Sequence, residues 1–217
     1  FLVFTTVYPN QAQPGLGLFV RERMKRVAAS HQVEVLAPVP WFPLANVLKP
    51  GYRPRVPRLE DQDGIRVHHP RFVSLPGLCK YLDGVFLFLS VMYYVLRLRK
   101  RFRFKLIDAH FAYPDGLAAV LLGRVLRVPV SVTLRGTIVP LSGYLLRRLQ
   151  IGWVLKQADR VIAVSDSLKA KALEIGPQRE IRVIPNGVDT AKFHPIPKQQ
   201  AREELGLKPQ ARILASV

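Results

Sequence analysis

The chain has 217 residues, 49% of them hydrophobic, which is enough to bury the core of one α/β domain and leave a connecting segment. Lys and Arg outnumber Asp and Glu by 33 to 15, so the formal net charge is +18. Such a charge favours negatively charged partners, namely nucleic acid, anionic membrane or phosphate-bearing substrate. Dispersed Gly and Pro argue against a disordered chain. The single cysteine, Cys79, excludes an internal disulfide and is typical of a reducing compartment.

Strand-like and helix-like patterns alternate along the chain. Strands are predicted at residues 1–7, 32–37, 64–72, 105–109, 130–134, 160–164 and 181–184, and helices at 18–30, 82–101, 115–126, 141–156 and 166–175. Residues 38–57 are rich in Pro and predict a long exposed loop. Short runs such as residues 161–164 are apolar on both faces, which is typical of central parallel strands covered by helices. The pattern predicts an α/β fold with a Rossmann-like, mostly parallel sheet and helices on both faces.

The composition changes after the last of these strands. We expect a Rossmann-like domain at residues 1–185 and a polar connector with a short helix at residues 186–211. Residues 212–217 are apolar and predict the first strand of a second domain. Because a lone strand cannot pair its backbone groups, we expect the function to belong to a larger molecule.

The loop before the first helix is a candidate phosphate site. Parallel sheets bind ligands outside the carboxyl ends of their strands, and this loop follows the first strand. Gly15 and Gly17 would let the backbone approach a phosphate near the helix N-terminus. A plain tight turn is the alternative, since Val20 stands where a dinucleotide fingerprint needs a third glycine.

Three further loops follow the carboxyl ends of predicted strands. His110 can take part in proton transfer or bind a sugar hydroxyl, with a structural role as the alternative. Arg135 offers a planar fork for phosphate or carboxylate and Gly136 permits close approach, unless this is a surface arginine beside a turn. Asp115 and Ser165 are expected to cap the helices that they precede. The hydroxyl of Ser165 can also contact a polar substrate.

The sequence gives no support for a metal site. His68 and His69 are adjacent, so they would point to opposite faces of a strand. Neither has the accompanying Cys or carboxylate residues that protein metal sites use.

Five segments, in order, resemble the N-terminal domain of family 4 glycosyltransferases, which have the GT-B fold. They are YPNQAQPGLGLFVRERMKRVA (residues 8–28), DAHFAYPDGLAA (108–119), VPVSVTLRGT (128–137), ADRVIAVSDSLK (158–169) and IRVIPNGVDTAKFHP (181–195). The resemblance implies the N-terminal half of a GT-B fold and retaining transfer of a sugar from a nucleotide-sugar. It implies no cofactor beyond that co-substrate and no required metal.

The resemblance also implies roles for individual residues. It puts the donor diphosphate near Gly15 and Gly17, and His110 beside the transferred sugar as a catalytic residue. The acceptor cleft would include Arg135, Gly136, Thr137 and Ser165. The crossing between domains would include Asn186, Gly187 and Asp189. An Asp commonly follows the Gly-Thr pair in this family, whereas this chain has Ile138, which weakens the acceptor assignment. The family's main donor-binding residues lie in the C-terminal domain, so we expect these 217 residues alone to be inactive.

The predicted helix at residues 82–101 ends in a basic cluster. Its apolar run, residues 85–96, is shorter than the roughly 20 residues that span a bilayer. Six cations follow within nine residues: Arg97, Arg99, Lys100, Arg101, Arg103 and Lys105. We expect a cytoplasmic protein at the inner face of the cytoplasmic membrane, attracted by anionic lipids. The alternative is a buried helix with a solvated basic end.

The expected acceptor is a glycan or a lipid-linked glycan of the cell envelope or an exopolysaccharide. A nucleotide-sugar epimerase of the same fold is an alternative within enzymes. A non-catalytic module that binds polyanions or membranes is the alternative outside them. Nucleic acid is disfavoured because only Phe102 and Phe104 interleave the basic cluster, where stacking would need more aromatic side chains.

Overall fold

The computed structural model describes residues 1–42, 56–75, 77, 79–176 and 180–214. These residues form two compact units, Phe1–Asn186 and Gly187–Val217. The second unit contains one helix, α7, at Lys198–Glu204 among its described residues. The domain boundaries derived from the sequence remain predictions.

The first unit alternates strands and helices as the sequence predicts. Its strands are β1 (Leu2–Phe4), β2 (Glu34–Leu36), β3 (Val39–Trp41), β4 (Leu59–Gln62), β5 (Ile65–His68), β6 (Arg71–Val73), β7 (Ile107–His110), β8 (Val130–Leu134), β9 (Arg160–Ala163) and β10 (Ile181–Val183). Its helices are α1 (Leu18–Ala28), α2 (Asp83–Arg101), α3 (Leu117–Leu126), α4 (Ile138–Leu141), α5 (Leu145–Gln157) and α6 (Asp166–Ile175). A 3₁₀ turn at Lys80–Leu82 precedes α2, and a wide helical turn at Ala112–Gly116 precedes α3.

Eight of these strands form one sheet in the order β10-β9-β8-β7-β1-β2-β5-β4. All neighbours are parallel except β4 and β5, which pair antiparallel as a hairpin. Strands β3 and β6 form a separate parallel pair. The predicted mostly parallel, Rossmann-like sheet is therefore confirmed.

Two hydrophobic cores lie on opposite faces of the sheet because successive strand side chains point in opposite directions. Leu2 and Phe4 face the larger core, which also contains residues from α2, α3, α5 and α6. Val3 and Val35 face the smaller core, where Val20 of α1 packs. We call α2, α3, α5 and α6 the helix layer. Helices therefore cover both faces, with most of them on one side.

Helix α2 belongs to the core by its packing. Leu87, Val91, Val95 and Leu98 recur every three or four residues and are buried, as expected for one face of an α-helix. Lys80–Arg101 is nevertheless long and apolar enough, by length and composition, to cross a membrane. The longer segment thus meets a criterion that its apolar run at residues 85–96 alone does not meet, while one face of the helix is buried in the core.

Other predicted elements differ in their bounds. The predicted strand at residues 64–72 divides into β5 and β6 because Pro70 cannot donate a backbone hydrogen bond. The predicted loop at residues 38–57 contains β3, and its residues 43–55 lie outside the described residues. The predicted helix at 141–156 is instead α4 and α5, separated near Gly143, since glycine disfavours helix continuation. Residues 212–214 have no regular secondary structure and 215–217 are outside the described residues, so that strand stays a prediction.

Candidate functional site

Five strands bring the predicted site residues to one edge of the sheet. Strands β1, β7, β8, β9 and β10 are parallel neighbours, so their carboxyl ends meet at the same edge. Gly17, His110, Arg135, Ser165 and Asn186 follow or end these strands. We call this edge the carboxyl rim.

The two glycines before α1 have different structural requirements. Gly17 has φ 67° and ψ 30°, and a Cβ there would lie 2.4 Å from the carbonyl oxygen of Val7. Gly15 is exposed, and a Cβ there would meet no atom within 4 Å. Only Gly17 is therefore required by the fold of the turn, whereas Gly15 leaves open space at the rim.

The segment before these glycines is held by the β4–β5 hairpin. The backbone N–H of Gln11 donates to Glu60 Oε1 at 3.0 Å, and Gln62 Nε2 donates to the carbonyl of Pro9 at 2.9 Å. Asn10 Oδ1 also accepts backbone hydrogen bonds within the turn. Side chains about 50 residues away thus fix the path of the loop. The sequence prediction missed strand β4, because its Leu-Glu-Asp-Gln sequence has little strand propensity.

Arg135 is the central contact of the rim. Its Nη2 lies 3.1 Å from His110 Nδ1, and its Nη1 donates to Asn186 Oδ1 at 3.3 Å. The guanidinium lies over the ring of Phe19, 4.4 Å from the ring centroid. Burial, together with the nearby charge of Arg23, lowers the pKa of Arg135 to about 10, so it remains protonated at neutral pH. The surface-arginine alternative is wrong, because only 5% of Arg135 is exposed.

His110 is fully buried between Arg135 and Asp108. Its Nε2 lies 3.5 Å from Asp108 Oδ2, and Ser131 Oγ donates to Asp108 Oδ1 at 2.5 Å. Burial lowers the pKa of His110, and this effect outweighs the nearby Asp108 carboxylate, which would raise it. Burial disfavours the Asp108 carboxylate, but contacts with His110 and Ser131 outweigh it and hold its pKa below the usual value. His110 therefore lies at the rim as predicted, without exposed surface, and its catalytic role stays a prediction.

Sequence reasoning missed Asp108 and Phe19. Asp108 stands two residues before His110, so strand alternation puts both on the same face of β7. That spacing was a usable signal. Phe19 is 42% exposed and lies in the first turn of α1, where helical periodicity alone gives no reason to expect contact with Arg135.

Asp115 does not cap α3, contrary to the prediction. It lies inside the wide turn Ala112–Gly116, and its Oδ2 accepts the backbone N–H of Thr6 at 2.9 Å. The reason is that Gly116 occupies the N-cap position, so the Asp115 side chain faces the end of β1 instead. The residue is fully buried, and burial raises the pKa of Asp115 to about 7. Asp115 thus joins the loop after β1 to the turn after β7.

Ser165 caps α6 as predicted. Its Oγ accepts the backbone N–H of Leu168 at 3.3 Å and lies 2.9 Å from Ser167 Oγ. Gly136 and Thr137 are exposed on the rim immediately before α4. The acceptor-cleft roles of these residues remain predictions.

The predicted interdomain residues fall in both compact units. Asn186 ends the first unit and contacts Arg135. Gly187 and Asp189 belong to the second unit, where Asp189 Oδ1 accepts the backbone N–H groups of Ala191 and Lys192 at 3.1 and 3.3 Å. The side chain of Asp189 therefore shapes a local turn.

Within the part of the chain that the structure describes, no group of three or more His, Cys, Asp and Glu side chains can hold a metal ion. His68 instead contacts Glu34 Oε2 at 2.7 Å and the Tyr94 hydroxyl at 2.8 Å, while His69 Nδ1 contacts the carbonyl of Ala37 at 3.0 Å. The two adjacent histidines thus have structural contacts on different elements.

Sequence comparison gives a family match and a curated relative. The model of Glycosyltransferase Family 4 matches residues 14–192. The chain is 27% identical over 224 residues to the Bacillus subtilis (strain 168) protein that is named as a teichuronic acid biosynthesis glycosyltransferase, TuaC. That alignment includes 100% of this chain and 57% of the relative, so the chain spans little more than half of the relative's length.

Solved structures give the same fold. Sucrose-phosphate synthase from Thermosynechococcus elongatus superposes with a TM-score of 0.64 at 17% identity, over 96% of this chain and 52% of that one. Anabaena Alr3699/HepE, solved with UDP and glucose, superposes with a TM-score of 0.59 at 17% identity, over 94% of this chain and 50% of that one. At these identities the likeness establishes the fold alone.

Proposed function

Because the chain belongs to glycosyltransferase family 4, we propose that it forms the acceptor-side domain of an enzyme that transfers a sugar from a nucleotide-sugar with retention of configuration. The acceptor in this proposal is a glycan or a lipid-linked glycan of the cell envelope or an exopolysaccharide. The observation that carries it is the meeting of Gly17, His110 and Arg135 at one rim, inside the region that the family model matches. The name of the Bacillus subtilis relative supports a cell-envelope product.

The donor is proposed to bind through its diphosphate near Gly15 and Gly17. Glycine without a neighbouring side chain lets phosphate oxygens approach the backbone, and the N-terminus of α1 favours negative charge there. Arg135 is buried and charged near the same turn, which supports an electropositive rim. The Anabaena structures with UDP and with UDP-glucose support a nucleotide-sugar as the donor class.

The test is an assay of the full-length protein with a panel of nucleotide-sugars, using membrane extract as the source of acceptor. We expect transfer from one donor class, retained anomeric configuration in the product by NMR, and unchanged turnover in the presence of EDTA. The 217-residue chain alone should fold but transfer no sugar, because the family's main donor-binding residues lie in the other domain. Interconversion of free nucleotide-sugars without transfer would instead support the epimerase and refute the proposal.

We also propose that the protein works at the inner face of the cytoplasmic membrane, with the helix layer towards the lipid. The four helices of this layer contain ten Lys and Arg but three acidic residues, Asp83, Asp166 and Glu174. Asp83 forms an ion pair with Lys80, and Glu174 with Lys171. The helices therefore carry a formal net charge of +7, which suits an anionic leaflet.

The same layer exposes large apolar side chains between its cations. Leu89 and Tyr93 of α2 are 62% and 63% exposed, and Leu145 and Leu149 of α5 are 72% and 62% exposed. The 3₁₀ turn before α2 is joined to α5 where Gln150 Nε2 donates to the carbonyl of Tyr81 at 2.9 Å. Apolar side chains beside cations are typical of protein surfaces that insert shallowly into the membrane interface. A surface that had only positive charge would suit any polyanion.

The basic cluster predicted from the sequence is divided by the structure. Arg99 Nη1 donates to the carbonyl of Leu126 at 2.8 Å and lies over the ring of Phe104, so it joins α2 to α3. Arg97, Lys100, Arg101, Arg103 and Lys105 are exposed. These exposed cations support the membrane proposal, whereas Arg99 has a structural contact.

Vesicle co-sedimentation tests the membrane proposal separately from catalysis. We expect the wild type to bind vesicles that contain phosphatidylglycerol and to bind neutral vesicles much less. The double variant Leu145→Glu and Leu149→Glu should lose most of this binding, while Leu59→Glu, which changes a 52% exposed residue at the other edge of the sheet, should not. Equal binding by both variants, or preferential binding of DNA over anionic vesicles, would contradict the proposal.

A further inference from the structure

A buried chain of polar contacts runs from β7 to the loop after β8. Ser131 Oγ contacts Asp108 Oδ1, Asp108 Oδ2 faces His110 Nε2, and His110 Nδ1 faces Arg135 Nη2. Arg135 then contacts Asn186 and lies over the Phe19 ring. His110 and Arg135 are 0% and 5% exposed, so these contacts form away from bulk water.

The donors and acceptors along these contacts favour one tautomer of His110. A guanidinium has only donors, so Arg135 can bind His110 only while the ring nitrogen that faces it carries a lone pair. That nitrogen is Nδ1, at 3.1 Å. A neutral ring therefore carries its proton on Nε2, where the carboxylate of Asp108 is the facing acceptor. At 3.5 Å the two atoms are too far apart for a full hydrogen bond, and Nε2 has no hydrogen-bond partner among the described residues. Asp108 therefore acts on the Nε2 proton through electrostatic attraction.

We propose that Asp108 is a positioning residue: it holds the proton of His110 on Nε2, which keeps the Nδ1 lone pair available to fix the Arg135 guanidinium over Phe19. In the opposite tautomer the proton would be on Nδ1, so its N–H would face an N–H of the Arg135 guanidinium. Two donors cannot bind each other, and Arg135 would be released from His110. Asp108 is itself fixed by Ser131 on the neighbouring strand, at a paired position of the β7–β8 ladder. Asp108 thereby fixes the position of the Arg135 charge at the rim through His110, without contacting Arg135 in this chain of contacts.

The wild-type protein gives the first test. With ¹⁵N-labelled histidine at pH 8, the five histidines can be separated by the loss of one signal pair in His110→Gln. We expect His110 to show a protonated Nε2 and an unprotonated Nδ1. A protonated Nδ1 would overturn the proposal without any further variant, and this result does not depend on whether the protein transfers sugar.

Variants then separate the effect of Asp108 from that of Arg135. Asp108→Leu removes the acceptor and should leave His110 exchanging between two tautomers, whereas Asp108→Asn keeps an acceptor oxygen and should retain the Nε2 proton. Arg135→Met should also retain it, because Asp108 remains. A fixed Nε2 proton in Asp108→Leu, or its loss in Arg135→Met, would assign control to Arg135 and refute the role of Asp108. Ser142→Ala, which removes a hydroxyl whose contact is the carbonyl of Val139, is the matched control outside these contacts and should retain the wild-type tautomer.

Discussion

Replacing Gly17 by Ala should destabilise the protein far more than replacing Gly15 by Ala. An L-residue with φ near 67° costs roughly 1–2 kcal/mol relative to glycine. The new Cβ would also lie 2.4 Å from a backbone oxygen, and such overpacking typically costs about 1–3 kcal/mol. Together we expect the free energy of unfolding to fall by about 2–5 kcal/mol. At Gly15, where a Cβ meets open space, the change should stay within about 0.5 kcal/mol.

Urea unfolding followed by the fluorescence of Trp41 and Trp153 measures this difference. The midpoint for Gly17→Ala should decrease at an unchanged m-value, while the Gly15→Ala curve should overlay the wild type. Equal midpoints for the two variants would refute the argument from the left-handed turn. In the full-length protein, Gly15→Ala then tests phosphate approach alone, because it adds a methyl group at the rim without disturbing the fold.

Three other changes test separate contacts. The pKa of Asp115 in the folded protein is about 7, above the usual Asp value, because burial favours the neutral carboxyl. The contribution of Asp115 to the free energy of unfolding is therefore full below about pH 4 and is lost as the pH rises to 7. Between pH 4 and pH 8 the free energy of unfolding of the wild type, measured in urea, should fall by on the order of 4 kcal/mol more than that of Asp115→Asn. The same fall in both proteins would contradict the raised pKa of Asp115. Ser165→Ala should lower the free energy of unfolding by about 1 kcal/mol through loss of the cap, and the control Ser167→Ala by clearly less; equal losses would refute the cap. Arg99→Gln should lower the free energy of unfolding by about 1–3 kcal/mol, because the partly buried carbonyl at the end of α3 loses its donor. The control Arg103→Gln changes an exposed residue and should leave it unchanged. Similar midpoints for both variants would show that the Arg99 contact contributes little.

The sheet was predictable from the sequence because its central strands are short apolar runs separated by amphipathic helices. Residues 130–134 are a strand in both the prediction and the structure. The β4–β5 hairpin was not predictable in the same way, because Leu59–Gln62 has polar residues whose strand conformation depends on pairing with β5. The break at Pro70 was signalled by the sequence itself, since proline cannot donate to a ladder.

The rim was predictable as a place, whereas its contacts were not. Rossmann-like order puts His110 and Arg135 at the carboxyl ends of neighbouring strands, so their proximity follows from topology. The position of Asp115 depends on the wide turn before α3, which has no sequence periodicity, so a helix cap was the natural and incorrect prediction. Likewise, the different needs of Gly15 and Gly17 depend on the approach of the Val7 carbonyl, which only the folded loop reveals.

The anchoring of the Gly15–Gly17 loop by Glu60 and Gln62 has a consequence for protein engineering. Substitutions in this hairpin, although distant in sequence from every predicted ligand contact, would shift the backbone that precedes α1. A library that seeks altered phosphate binding at this loop therefore has reason to vary Glu60 and Gln62. It can do so while the residues proposed to meet the phosphates keep their identity.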